Sequence, residues 1–470
     1  MNPSTYARSS PLAAAATLLL LLSSATVVFA NAPGTTDDPE ELKKIIEAQQ
    51  LRLDAQQQEL DAQRQMLQEL LQRVETMTAG GTVTTSEPAG GAAAPQPSAP
   101  ELPAAAPDWP GSFSLFGSKT RLAVGGFVQL DVIHDSDAIG SPCQFITSTI
   151  PTDGGTMVQG ADGQTSFCVN TSRLTFESRT PTKIGRLKTF ISLDLFGNAL
   201  STSPSLRMRQ AYGELEGVLW GGDLLFGQAW GTYVDLEAWP DILDFEGPGA
   251  AIALRQPMVR WSKGVSDHVD VRIALEQPGD GSVEDADMLT AWPDLVGTVK
   301  WSHGGGHLRA AGIVRDIRAS ADDGPAVAAT GWGLAGSGKA MLGGRNNLTF
   351  EVSYGEGVGA YYDDGPPNGV YDPATSSIEL LPLLGYYIGF EHGWSNTLSS
   401  AILYSSIRVD NLDSQPDDAM KQTGYFSLNL IWRPDPALMF GAEFLSGGRR
   451  DKDGSEGTDN RLQLSSQFSF

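Results

Sequence analysis

Alternation of apolar and polar side chains along many short segments is the feature that most constrains this chain. In 186–197, Leu187 and Leu193 fall on one face of an extended strand, and Lys188 and Asp194 fall on the other. A period of two residues is typical of β-strands that have one apolar and one polar face. The pattern recurs from residue 121 onward, so we expect this part of the chain to be all-β.

Sixteen such segments occur, and the connections between them alternate between short and long. A soluble β-sandwich also alternates apolar and polar residues, but it has no reason to keep two ends with different loop lengths. Bacterial transmembrane barrels have an even number of strands, short periplasmic turns and long external loops. We therefore predict a sixteen-stranded antiparallel transmembrane β-barrel. The predicted strands are 121–133, 171–180, 186–197, 207–218, 222–231, 252–261, 267–276, 294–302, 306–317, 327–339, 345–355, 382–392, 397–409, 421–432, 437–447 and 460–470.

The last segment supports this interpretation. Leu462, Leu464 and Phe468 alternate with polar residues up to the terminal Phe470. The pattern resembles the C-terminal strand of outer-membrane proteins, whose final Phe is read by the insertion machinery. The alternative is a buried edge strand of a soluble domain. Closure into a barrel would pair every strand edge, which lipid cannot do.

The first 30 residues have the order of a secretory signal peptide. Arg8 is the only charged residue among the first 36, an apolar run covers 12–29, and Ala30 ends the run at the expected cleavage site. A retained transmembrane anchor is the alternative. Export leads to an oxidising compartment, so we expect Cys143 and Cys168 to form a disulfide within the first long connection.

Two further segments separate the signal peptide from the barrel. A strict seven-residue apolar repeat in 38–77 predicts a helix that self-associates, so 31–77 is interpreted as a periplasmic coiled-coil oligomerisation segment. A lone surface helix is the alternative. The segment 78–110 is rich in Pro and Ala and is interpreted as a linker, followed by the barrel at 111–470. The heptad residues are Ile46, Leu53, Leu60, Leu67 and Val74.

Composition excludes several classes of protein. The net charge of -24 would repel nucleic acid, and two cysteines cannot hold together a disulfide scaffold of 470 residues. One long apolar run excludes a polytopic helical membrane protein. The five histidines are scattered and no nucleophile motif occurs, so we expect no catalytic residues, no metal site, no cofactor and no enzymatic activity.

Short motifs in a fixed order resemble the DcaP-like family of outer-membrane porins. The resemblance covers most of the chain, including the heptads and the linker. It implies a sixteen-stranded homotrimeric porin with a periplasmic coiled coil and a preference for small anionic solutes such as dicarboxylates. The motifs are LAVGGFVQLD at 122–131, SRLTF at 172–176, RQAYG at 209–213, FGQAW at 226–230 and LRQPMVR at 254–260.

A sixteen-stranded barrel leaves a water-filled lumen, so a loop must form any constriction. We expect the third long connection, 232–251, to fold inward, as third loops do in the general porins that this architecture resembles. It carries five acids and no Lys or Arg. A basic ladder on the lumen wall would face these acids, although the same charges could instead form internal salt bridges. The acids are Asp235, Glu237, Asp241, Asp244 and Glu246, and the ladder is Arg173, Arg186, Lys188, Arg207, Arg209, Arg260 and Arg272.

These features predict an outer-membrane porin for passive diffusion of small hydrophilic, anionic solutes. The alternative is a structural tether that links the barrel through its coiled coil to the periplasm or peptidoglycan. Expected partners are outer-membrane lipid, lipopolysaccharide and two further copies of the chain. The acidic external loops either solvate the protein or bind divalent cations, and an acidic rim would oppose the entry of anions.

Overall fold

The structure is a computed structural model that describes most of the chain after residue 108. The predicted signal peptide at 1–30 and coiled coil at 31–77 lie outside the described residues, as does most of the linker. The described residues are 109–115, 118–152, 163–198, 200–279, 281–321 and 324–470.

Sixteen long antiparallel strands form a closed barrel, which confirms the predicted fold class. Each strand pairs with the next along the chain, and the first pairs with the last over Phe127–Asp135. The strands are β1 (Arg121–Asp135), β2 (Arg173–Thr182), β3 (Gly185–Asp194), β4 (Arg207–Leu219), β5 (Gly222–Trp230), β6 (Arg255–Ser266), β7 (Val269–Glu276), β8 (Asp294–His303), β9 (Gly306–Ser320), β10 (Val327–Met341), β11 (Asn346–Glu356), β12 (Pro382–Gly393), β13 (Leu398–Val409), β14 (Met420–Asp435), β15 (Leu438–Asp451) and β16 (Glu456–Ser469).

The two faces of the barrel wall have the polarity expected for a membrane barrel. Along β16, Leu462 and Leu464 are each 50% exposed, whereas Arg461 is 0% and Gln463 is 2% exposed. A soluble protein would bury the leucines and expose the polar side chains. The outward face is therefore apolar and the inward face is polar, as the alternating pattern predicts.

The two ends of the barrel differ in the length of their connections. At one end the turns have two to four residues. At the other the connections range from the four residues 452–455, a turn shorter than the predicted loop 448–459, to the long segment 136–172. The turn at Trp220 and Gly221 has positive φ angles of 51° and 72°. Two successive left-handed residues define the tight hairpin turn whose twist matches that of the flanking strands. Short strands in the long connections are Gln164–Cys168, Val283–Glu284, Asp287–Leu289, Gly369–Asp372 and Ser377–Leu380.

Several predicted boundaries differ from the observed ones by three to five residues. The strand predicted at 437–447 ends at Asp451, the one predicted at 460–470 begins at Glu456, and the one predicted at 252–261 continues to Ser266. The strand predicted at 252–261 begins at Arg255 instead. Ile252 N donates to Glu351 on the wall, and Ala253 N donates to Tyr361 O in another loop. These residues therefore belong to a loop inside the lumen and do not extend the sheet.

No helix in the described part of the chain is both long and apolar enough to cross a membrane.

Candidate functional site

The third long connection, 231–254, lies inside the barrel and is called the inner loop below. Tyr233 is 1% exposed and Ala238 is 0% exposed. Tyr233 packs with Tyr361, Ile313 and Val358 in the largest buried apolar cluster. This cluster joins the inner loop, the wall and the sixth long connection, so the loop has its own packed core within the lumen.

Wall carboxylates hold the backbone of the inner loop. Glu443 on β15 accepts hydrogen bonds from Leu243 N at 2.8 Å and Asp244 N at 2.7 Å. Glu351 on β11 accepts one from Ile252 N at 2.9 Å. Acids on the wall thus satisfy loop N–H groups that would otherwise be buried without an acceptor.

The acids of the inner loop are also bonded. Asp235 accepts hydrogen bonds from Ser337 Oγ at 2.6 Å and is 2.9 Å from His307 Nε2. Burial raises the pKa of Asp235, but the bonds from His307 and Ser337 and the charge of Arg309 outweigh burial and lower this pKa to about 2. The ionised Asp235 therefore links the inner loop to His307 on β9 and to Ser337 on β10.

Two loop acids contact the first long connection. Asp244 accepts hydrogen bonds from Phe145 N at 3.1 Å and Gly247 N at 3.1 Å. Glu246 accepts one from the Gln144 side chain. Both carboxyl groups are buried, and their hydrogen bonds link the inner loop to the first long connection.

The remaining two loop acids form ion pairs with the wall. Glu237 lies 2.6 Å from Lys300 Nζ on β8, and Asp241 lies 2.8 Å from Arg433 on β14. Their side chains are 58% and 40% exposed. All five predicted constriction acids therefore have partners, and none stands as a free negative charge opposite the basic ladder.

Basic side chains line two cavities on the side of the lumen that the inner loop leaves open. The first chamber has a volume of about 510 Å³ and the second chamber about 290 Å³. Both contain predicted ladder residues. The first chamber is lined by Arg173, Arg207, Arg209 and Arg255, and the second by Arg260, Arg272, Lys300 and Arg309.

The guanidinium groups of the first chamber differ in their partners. Asp194 pairs with Arg207 at 2.7 Å and Arg209 at 2.6 Å. Arg173 and Arg255 have no hydrogen-bond acceptor or ion pair within the described ranges. Arg173 instead lies 5.3 Å from the centroid of the Phe127 ring, and Arg255 lies 4.5 Å from that of Trp230. The guanidiniums of both residues line the first chamber without a protein acceptor in the described ranges, although Arg173 Nε itself is buried.

The second chamber has one comparable group. Arg260 donates to Trp230 O at 3.1 Å, and Arg309 donates to the backbone oxygens of Thr232 and Tyr233. Arg272 has neither an acceptor nor an ion pair in the described part of the protein. It is therefore the guanidinium of this chamber that is open to an anion.

Two predicted ladder residues lie outside both chambers. Arg186 pairs with Glu216, and Lys188 is 3.8 Å from Glu214. These pairs on β3 and β4 lie toward the short-turn end of the barrel.

The sequence interpretation missed three lumen cations, Arg255, Lys300 and Arg309. The signal for two of them was present. Outward Val299 and Trp301 flank Lys300, and the period-two phase places Lys300 in the lumen. The same phase applies to Arg309 on β9. Arg255 begins its strand, where the period gives no guidance.

Two carboxyl groups border the first chamber, and both have raised pKa values. Burial raises the pKa of Glu246 well above its usual range, and repulsion from Asp363 and Asp244 adds to this. Burial likewise raises the pKa of Asp363, against the attraction of Arg255. In their protonated forms these two groups leave the positive charge of the chamber's arginines uncompensated.

Cys143 and Cys168 form a disulfide, with their Cα atoms 5.8 Å apart. The bridge joins two parts of the first long connection beside Ile133 and Phe196. The first long connection also contains Gln144 and Phe145, which contact the inner loop. The disulfide therefore restrains the connection against which the inner loop packs.

Within the described ranges, no group of three or more His, Cys, Asp or Glu side chains could hold a metal ion.

The model of one protein family matches the part of the chain that forms the barrel. The family is the DcaP outer membrane protein, and the match covers residues 113–470. The chain belongs to the DcaP family. The family resemblance noted in the sequence is thereby confirmed. No curated protein sequence matches this DcaP-family chain.

Solved structures show the same fold as this DcaP-family barrel. The crystal structure of the outer membrane channel DcaP of Acinetobacter baumannii has a TM-score of 0.67 at 21% identity, covering 76% of this chain and 99% of that one. An anion-selective porin from Comamonas acidovorans has a TM-score of 0.52 at 10% identity, covering 75% and 100%. The protein is thus an outer-membrane β-barrel with a channel fold.

Proposed function

We propose that this protein is a porin that admits small anionic solutes by passive diffusion. The observation that supports the proposal is the set of three lumen guanidiniums, Arg173, Arg255 and Arg272, that have no acceptor within the described residues. A buried or half-buried guanidinium without a partner is costly unless water or a ligand satisfies it. Anions supply that partner as they pass.

The loop acids do not cancel this charge. Asp235 and Asp244 are buried against the wall, and Glu237 and Asp241 are paired with cations. The inner loop narrows the lumen, and its carboxylates are used to hold it in place. The net result is a passage with positive groups on its open side.

Passage requires binding that is favourable but weak. A solute carboxylate exchanges part of its hydration for guanidinium N–H groups, which match its geometry, and several such groups in series allow it to leave again. Neutral solutes of the same size gain nothing from the arginines. Cations are repelled.

The assembly is part of the proposal. The family resemblance and the heptads at 38–77 support a homotrimer whose coiled coil lies in the periplasm, after removal of a signal peptide. Lipid and lipopolysaccharide surround the apolar outer face of the barrel.

Liposome swelling with purified full-length protein tests the solute class. We expect a small dicarboxylate to enter faster than a neutral sugar alcohol of similar size, and a diamine to enter slowest. The substitution Arg255→Gln should reduce the difference between the acid and the neutral solute. Arg450→Gln is the matched control, because Arg450 is an exposed arginine paired with Glu456 outside both chambers.

Equal entry of all three solutes, or faster entry of the diamine, would contradict the proposal.

A further inference from the structure

Two side chains form the boundary between the chambers. Trp230 and Leu236 line both the first and the second chamber. Leu236 is an apolar side chain of the inner loop that is 46% exposed inside the barrel. The Trp230 ring packs 6.2 Å from that of Trp239, which fixes it in position. We call Trp230 and Leu236 the neck.

The first chamber has a built cationic site on one side of the neck. Arg209 is 5% exposed, and its Nε has no acceptor within the described residues; the same holds for Arg173 Nε. Arg209 and Arg255 both lie over the Trp230 ring, at 5.8 Å and 4.5 Å. Two guanidiniums therefore pack against the Trp230 ring, and Arg173 and Arg255 line the chamber without a carboxylate within ion-pair distance in the described residues.

The second chamber has its own cationic site on the other side. Arg309 is 6% exposed and is fixed by backbone oxygens of the inner loop. Arg260 Nε has no acceptor in the described part of the chain. Arg272 is unpaired there, as described above. This set shares no basic residue with the first chamber.

The charges around each set differ. Asp194, Glu246 and Asp363 lie at the first chamber, and Asp194 is engaged by two arginines. Asp235, Glu237 and Asp270 lie at the second, where Lys300 contacts Glu237 at 2.6 Å and Asp270 at 4.0 Å. Each chamber thus retains at least one guanidinium that no carboxylate neutralises.

We propose that the lumen holds two anion-binding stations in series, separated by the apolar neck of Trp230 and Leu236. The inference rests on the proposed function, since it concerns the route of the same anions. Arg173 and Arg255 bind an anion at the first station, and Arg272 binds one at the second. Leu236 gives the anion no hydrogen bond, and the Trp230 indole offers at most one N–H.

Two occupied stations explain how binding and flow are compatible. An anion that reaches the first station repels one held at the second and helps it to leave. Transfer through the neck requires partial loss of hydration, and the neck replaces it with at most the single indole N–H of Trp230. The neck is therefore the slow step, and the size of Leu236 sets its rate.

Sulfate block of chloride current through the full-length protein in planar bilayers tests for two stations. We expect the wild type to show two components of block with different voltage dependence. Arg255→Gln should weaken one component about tenfold, the loss expected for one charge-assisted contact, and Arg272→Gln should weaken the other. Arg450→Gln is the control for loss of one positive charge at the rim.

Substitutions at Leu236 test the neck without removing a charge. Leu236→Trp should slow anion transfer and lower the chloride conductance, and Leu236→Ala should raise it, while both keep the two components of sulfate block. Leu236 is half-exposed, so neither change disturbs a packed core.

The outcomes separate the two proposals. A single component of block that Arg255→Gln and Arg272→Gln weaken equally, or a conductance insensitive to Leu236, would overturn the two stations even if the channel still prefers anions. Loss of anion preference itself, measured by reversal potential, would instead overturn the proposed function.

Discussion

At the scale of single residues, the lumen depends on how each charged group is satisfied. The guanidiniums of Arg173 and Arg255 lie over the rings of Phe127 and Trp230 and have no protein acceptor in the described residues. Arg315 and Arg461 are fully buried and pair with Asp294 and Asp135. An arginine of the lumen therefore stabilises the wall where it pairs with a carboxylate, and it can contact a solute where it has no such partner.

Glu246 and Asp363 predict a pH dependence of selectivity. Their raised pKa values mean that both groups keep protons at pH values where free carboxyls have lost them. Ionisation occurs only as pH rises, and it adds negative charge to the first chamber. We expect anion preference, measured by reversal potential, to decrease as pH rises above the range in which free carboxyls titrate.

Glu246→Gln should flatten this dependence, because the amide cannot ionise. A profile that is unchanged in Glu246→Gln would show that this group does not titrate in the range.

At the scale of elements, the inner loop is held by many weak contacts with distant strands. Its hydrogen-bond partners include Glu443 on β15, Glu351 on β11 and Tyr387 on β12, whose hydroxyl donates to Ala238 O at 3.2 Å. The sequence shows that the loop is acidic and follows β5. It does not show these partners, because they lie 99 to 200 residues away along the chain.

Removal of Glu443 should loosen the inner loop. Glu443→Ala leaves Leu243 N and Asp244 N without an acceptor, at a cost of about 1–3 kcal/mol for each buried group. We expect larger fluctuations of single-channel current and earlier proteolysis within 231–254. Glu443→Gln keeps a carbonyl acceptor and serves as the comparison. Current fluctuations in Glu443→Ala no larger than those of the wild type would indicate that the remaining contacts hold the inner loop in place.

The outward face of β16 offers a test of the wall. Leu464 points to lipid, so Leu464→Arg should destabilise the folded barrel by about 2–4 kcal/mol if the residue lies near the middle of the bilayer. Leu464→Ala controls for the lost apolar contact. Unfolding by urea from lipid vesicles measures the difference. Equal stability of the two variants would mean that this face does not meet lipid.

At the scale of the whole molecule, the period of two residues was enough to predict sixteen strands and, in those with a clean phase, which face meets the lumen. It failed where the chain leaves the sheet, as at Ile252, because hydrogen bonds to lumen groups replace the strand ladder there. The number of strands and the two unequal ends follow from local sequence. The pairing of loop acids, such as Asp235 with His307, follows only from closure of the barrel.

The sign of ion selectivity is the most direct test of the account. Full-length protein in a planar bilayer between unequal concentrations of potassium chloride gives a reversal potential that reports which ion passes more easily. We predict anion preference that falls when Arg173, Arg255 and Arg272 are all changed to Gln, and that stays when Arg450 is. Cation preference that the triple substitution leaves unchanged would contradict an arginine-lined route.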